Sequence, residues 1–86
     1  MYDVDVTLVD TVIKNLKTLD KNRVLDVLDE LRYNPYTACG AILMSGGYAG
    51  YYRCKAGCYR IIYKIEERQV KVLVMKIGHR RTVYCD

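Results

Sequence analysis

The stretch Gly50-Tyr51-Tyr52-Arg53-Cys54-Lys55-Ala56-Gly57-Cys58-Tyr59-Arg60-Ile61-Ile62-Tyr63 constrains this chain most. Two runs rich in tyrosine and β-branched residues flank Ala56-Gly57, the pattern of a β-hairpin. With Ala56 and Gly57 as the two turn residues, Gly57 supplies the positive φ that such a turn needs. Arg53 then falls directly opposite Arg60. Like charges opposed across a sheet repel, so the pair is expected either to splay into solvent or to hold an anion. A competing register, with Lys55 to Gly57 as a three-residue turn, sets Cys54 opposite Cys58 and admits a bridge between them. The two registers exclude each other, and the arginine pair is favoured.

At 86 residues the chain is expected to be one domain, residues 1 to 86, with a single modest core. Hydrophobic residues make up 51% and charged residues 28%, a globular composition. Apolar runs reach only about four residues, as at Val72 to Met75, so no membrane span is expected. The acidic, alternating start Met1-Tyr2-Asp3-Val4-Asp5 is unlike a signal peptide, and the cytoplasm is the expected location. The four cysteines, 39, 54, 58 and 85, are then expected to be reduced thiols. Cys54 and Cys58 lack the spacing and partners of a zinc site, and neither a metal nor a cofactor is expected.

Charge is unevenly spread. Residues 1 to 46 carry five Lys/Arg against seven Asp/Glu, whereas residues 47 to 86 carry nine against three. A basic half joined to an acidic one suggests a face directed at a polyanion.

Tyr2 to Thr7 alternates as a short half-buried strand. Val9, Val12, Ile13, Leu16 and Leu19 then fall at helical spacing behind Thr7 as a cap. Asp20 is expected to cap a second helix striped by Val24, Val27, Leu28 and Leu31, which Asn34-Pro35 stops. Residues 35 to 47 read as one long irregular connection. Strands at 48 to 55 and 58 to 66 follow, then a third at Val70 to Ile77, and a short basic tail with a last strand near Val83. The expected fold is α+β: an N-terminal strand, a two-helix hairpin and an antiparallel three- to four-stranded sheet, in the order β-α-α-β-β-β, with one sheet face under the helices and the other open.

If the C-terminal strands are neighbours, Arg53 and Arg60 meet His79, Arg80, Arg81 and Tyr84. Guanidinium forks suit phosphate, and tyrosine offers a flat face to an unstacked base, so single-stranded RNA is the favoured ligand. Cleaving RNA without metal requires a proton to leave the 2′-OH, a dianionic phosphorane to be stabilised and the 5′-oxygen to be protonated. The arginines suit the second task, and His79 is the natural acid or base.

The segments Gly50 to Arg53, Lys55 to Tyr63 and Ile77-Gly78-His79-Arg80-Arg81-Thr82-Val83-Tyr84 together resemble the RelE/ParE toxin superfamily, specifically its RelE branch. The resemblance implies a ribosome-dependent mRNA interferase that enters the ribosomal A site, cuts mRNA through 2′-OH attack and is neutralised by a RelB-like antitoxin, with a homodimer or a toxin–antitoxin heterotetramer left open. By position, Arg60 and Arg80 match the transition-state and leaving-group arginines, and Tyr84 matches the tyrosine that stacks on or orients the substrate. His79 stands where relatives carry Lys or His. Arg53 matches a basic strand residue, Tyr51 stands where some members carry lysine, and Lys55 and Arg81 complete the expected substrate-binding set. No carboxylate base is apparent. Two rivals share the fold: a ParE-like toxin that poisons DNA gyrase, and a noncatalytic RNA- or protein-binding member.

Overall fold

Val24, Val27, Leu28 and Leu31 lie at helical spacing, and all four are buried on one side of the helix Thr18–Leu31. This is α2 of a computed structural model that describes residues 1 to 84. Before it come the short strand β1 (Asp3–Asp5), a 3₁₀ turn at Thr7–Val9 and the helix α1 (Asp10–Asn15). After it come β2 (Ile42–Leu43), β3 (Tyr52–Ala56), β4 (Tyr59–Glu66) and β5 (Lys71–His79). No helix among the described residues is long and apolar enough to cross a membrane.

The five strands form one sheet in the order β1-β5-β4-β3-β2. β1 pairs parallel to β5, and the remaining pairs are antiparallel. The α+β architecture and the helices on one sheet face match the expectation. The sheet is wider than expected because β1 joins it and because the two-residue β2 pairs Ile42 with Arg53 and Leu43 with Tyr52 inside the stretch read as irregular. Residues 80 to 84 form a turn in place of the strand expected near Val83.

The helical starts also differ. Thr7 does not cap α1; its N–H and hydroxyl instead donate to Asp5 Oδ1 at 2.9 and 2.7 Å. Asp20 lies in the first turn of α2, which starts two residues earlier at Thr18. Both helices end as backbone chemistry dictates: α1 where Leu16 turns extended, and α2 just before Asn34-Pro35.

The core lies between α2 and the inner side of the sheet, where Ile61, Tyr63, Val72 and Val74 are each 0% exposed. Tyr63 stacks on Tyr52, with centroids 5.9 Å apart, and its buried hydroxyl donates to the Pro35 carbonyl at 2.6 Å. That bond anchors the chain where it leaves α2.

The hairpin turn decides between the two registers, and neither is found. Lys55 pairs with Arg60 and Ala56 with Tyr59, so the loop residues are Gly57 and Cys58. Gly57 has φ +63° while Cys58 stays out of the positive region, the φ pattern of a type II′ turn. A Cβ on Gly57 would lie 3.0 Å from Cδ of the exposed Arg23 of α2, a flexible side chain that can move aside, so the positive φ is what calls for glycine here. Arg53 therefore faces Ile62, and Arg60 faces Lys55. Cys39, Cys54 and Cys58 are free thiols, and Cys85 lies outside the described residues.

β5 carries a β-bulge. Ile62 pairs with Lys76 and Tyr63 with Val74, which leaves Met75 without a partner. The extra residue shifts the phase of the strand, so that Val72, Val74 and Ile77 all reach the core while Lys76 and Gly78 lie on the open face.

Acid should weaken this fold at identifiable points. Its bonds from Thr7, with Lys71 Nζ 3.3 Å from Oδ2, hold Asp5 down from its ordinary 3.8 to about 2. Hydrogen bonds from the Tyr36 and Tyr2 hydroxyls hold Glu67 down as well. A lowered carboxyl pKa stabilises the fold above the unfolded value, and that stabilisation is lost as pH falls through the folded one. The urea midpoint is therefore expected to drop between about pH 4 and pH 2. The drop should be shallower in Asp5→Asn; equal slopes would remove Asp5 from the account.

Candidate functional site: the open face at the hairpin end

Alternation along the paired strands places Arg53 and Lys55 of β3, Arg60, Ile62, Lys64 and Glu66 of β4, and Lys71, Lys76 and Gly78 of β5 on the face away from the helices. This face is electrically divided. At one end Lys64 pairs with Glu66 at 3.4 Å and Lys71 with Asp5 at 3.3 Å. At the hairpin end, Arg53, Lys55 and Arg60 have no carboxylate within ion-pair distance among the described residues.

Arg60 relieves its opposition to Lys55 by folding back onto the turn. Its Nη1 donates to the carbonyls of Gly57 and Tyr59, each at 2.9 Å. These two bonds use one nitrogen, so the Nη2 and Nε hydrogens remain for another acceptor. Arg53 is the diagonal neighbour of Arg60 rather than its direct partner.

The tail reaches this face because Gly78 has no side chain. Val83 is 1% exposed, and a Cβ on Gly78 would lie 3.1 Å from both Val83 Cβ and Cγ2. Val83 thus seats on bare backbone, outside the core beneath the helices, and carries Tyr84 to Arg53. Arg53 Nη1 donates to the Tyr84 hydroxyl at 3.4 Å, and its guanidinium carbon lies 6.0 Å from the ring centroid. Tyr84 meets Tyr48 edge-on at 6.2 Å, and Tyr48 meets Tyr51 at 6.5 Å. Beside Arg53 and Tyr84 lies a cavity of about 360 Å³, walled by Ile42, Leu43, Met44 and Ser45.

The site residues expected from sequence are therefore only partly gathered. Arg53, Lys55, Arg60, Tyr51 and Tyr84 share the open face or its rim. The Arg80 amide donates to the Cys58 carbonyl at 2.8 Å, which places this exposed residue beside the hairpin tip. Arg81 is exposed on the same turn, and its amide donates to His79 Nδ1 at 3.2 Å. His79 is not among them: it pairs with Tyr59 on the helix-covered side, with ring centroids 5.8 Å apart.

Tyr48 and the segment 42 to 45 complete the site without having been singled out. Their signal was the glycine pair Gly46-Gly47 ahead of an aromatic, which lets a loop close over the sheet. The buried Cys54 and the half-buried Cys39 do not compete as nucleophiles. Burial pushes Cys54 up to about 12, and burial together with its bond to Glu30 pushes Cys39 up to about 11.

Comparison with known proteins agrees with this fold. The model of a family described as the ParE toxin of type II toxin–antitoxin systems, parDE, matches residues 6 to 84. No curated protein sequence matches the chain. Among solved structures, the chain is similar to one in the RelBE2 toxin–antitoxin complex of Mycobacterium tuberculosis, at 21% identity and TM-score 0.79, covering 92% of this chain and 98% of that one. It is similar at 25% identity and TM-score 0.75 to a chain in the archaeal RelE–RelB complex of Pyrococcus horikoshii, covering 94% and 97%. A chain in the RelB–RelE complex of Methanococcus jannaschii matches at 21% identity and TM-score 0.64, covering 96% and 95%. A family model spanning nearly the whole chain, on a fold shared with chains of RelBE complexes, places this protein in the RelE/ParE superfamily, as a toxin of the type II toxin–antitoxin class.

Proposed function

We propose that this toxin is a ribosome-dependent mRNA endonuclease that works without metal and uses the hairpin end of its open sheet face. The observation that carries the reading is the set of cations at Arg53, Lys55 and Arg60, without a carboxylate partner among the described residues, while Lys64 and Lys71 on the same face are neutralised. A phosphate is the ligand such a set suits. Tyr84, held beside Arg53, adds a surface for an unstacked base.

In the proposed reaction the 2′-oxygen loses its proton and bonds to phosphorus, the bond from phosphorus to the 5′-oxygen breaks, and that oxygen takes up a proton. The products are a 2′,3′-cyclic phosphate and a 5′-hydroxyl. Arg60 stabilises the dianionic phosphorane through its unused donors, Arg53 and Lys55 hold the phosphate, and Arg80 stands at the leaving group. The Tyr84 hydroxyl donates the proton to the 5′-oxygen and is reprotonated by water, which also takes the proton released by the 2′-oxygen. His79 pins the start of the tail. The partner is a RelB-like antitoxin, and the exposed Leu8, Val12, Leu19 and Leu25 of the helical layer give it apolar surface to cover.

A second reading, a ParE-like toxin acting on DNA gyrase through protein contacts, is favoured by the family model that matches. Adding the protein to translating ribosomes and mapping mRNA 5′ ends separates the two. Codon-phased cuts bearing 5′-hydroxyls are expected. Intact mRNA together with trapped gyrase–DNA complexes would replace the first reading with the second.

A further inference from the structure

The open face has a second cavity that the proposed chemistry leaves unused. It measures about 420 Å³ and is lined by Gly47, Tyr48, Tyr51, Ile62, Met75 and Lys76. Its floor is unusual for a solvent-facing surface. Ile62 is 0% exposed yet lies on the side of β4 away from the core cluster. Met75, the unpaired residue of the bulge, forms part of the wall, and the same bulge puts Lys76 on this face. Tyr48 touches both Tyr51 and Tyr84 edge-on, so the ring that walls this cavity also contacts the ring that walls the first one. Gly47 would meet nothing within 4 Å of an added Cβ, so this side of the cavity is open.

The geometry points to a second nucleobase subsite: single-stranded RNA that places one base at Tyr84 places its neighbour against Tyr51 and Tyr48, beside Met75. The half-buried side chain of Met75 and the aromatic walls take the flat face of any base. The inference rests on the RNA-cutting reading of the same face. It gives Tyr51 a role that a lysine at that position could not fill, and it makes the toxin read two adjacent nucleotides.

The test places 2-aminopurine at each position of an A-site codon in turn, on purified ribosomes, with 2′-O-methyl groups to block cleavage, and follows quenching when the toxin binds. Two adjacent positions should be quenched. Tyr84→Ala should relieve one, and Tyr51→Leu the other, with Tyr51→Phe retaining it. Met75→Ala, which leaves both tyrosines in place, should weaken quenching at the same second position. Loss of one stacked base should weaken binding roughly fivefold or more. Quenching at a single position, or a second quenched position indifferent to Tyr51 and Met75, would overturn the subsite while leaving RNA cutting intact. No quenching from a wild-type protein that also fails to cut unmodified mRNA would remove both.

Discussion

Replacing Arg60 with alanine is expected to slow mRNA cleavage on the ribosome about 10²- to 10³-fold, the loss that follows removal of one preorganised donor to a developing charge. Arg60 is also structural, since its Nη1 ties down the Gly57 and Tyr59 carbonyls. That part is small: for a half-buried side chain, losing these bonds should lower stability by about 1 kcal/mol. Urea unfolding of the variant separates the two effects. Arg60→Lys keeps the charge but cannot both hold the turn and present a planar fork, so it should recover only a fraction of the rate. Cutting at the wild-type rate by Arg60→Ala would take the residue out of the reaction and leave it as a brace of the turn.

Gly78→Ala is expected to reduce cleavage roughly threefold to tenfold although Gly78 touches no substrate, because misplacing a positioned group by about 1 Å costs about 10²-fold and the shift here is a few tenths of an ångström. The new Cβ would sit 3.1 Å from two Val83 carbons and 3.3 Å from its Cα. Val83 must then give by a few tenths of an ångström and shift Tyr84 against Arg53. Overpacking of this kind costs about 1–3 kcal/mol, and the protein should still fold. Because both substitutions act through Tyr84, the double variant Gly78→Ala/Tyr84→Ala should cut no more slowly than Tyr84→Ala alone. Additive losses would mean that Gly78 serves something other than the seat of the tail.

Much of this was legible in the chain. The stripe Val24, Val27, Leu28 and Leu31 gives the helix, and the tyrosine-rich runs around Gly57 give the hairpin and the basic face. The register was not legible: a glycine in the loop fixes neither its place in the turn nor the turn type. The expectation that His79 meets the arginines rests on the C-terminal strands being neighbours, which does not fix the face it takes. In a regular strand containing Val72 and Val74 it would fall on the opposite face from them, beside Arg53 and Arg60. The bulge at Met75 reverses that parity and turns it toward Tyr59. β2 was missed because two residues carry no periodicity.

Met75 also bears on how such chains are compared. Since Ile62 pairs with Lys76 and Tyr63 with Val74, the ladder on either side of Met75 is already in step. Removing that one codon would join the two halves without altering any other pairing or the side on which any neighbour faces. A homologue one residue shorter here can therefore keep the whole sheet while losing one wall of the second cavity. An alignment that opens its gap after Arg81 instead would shift every residue from Lys76 to Arg81 by one, and would misassign the arginines on which the chemistry depends.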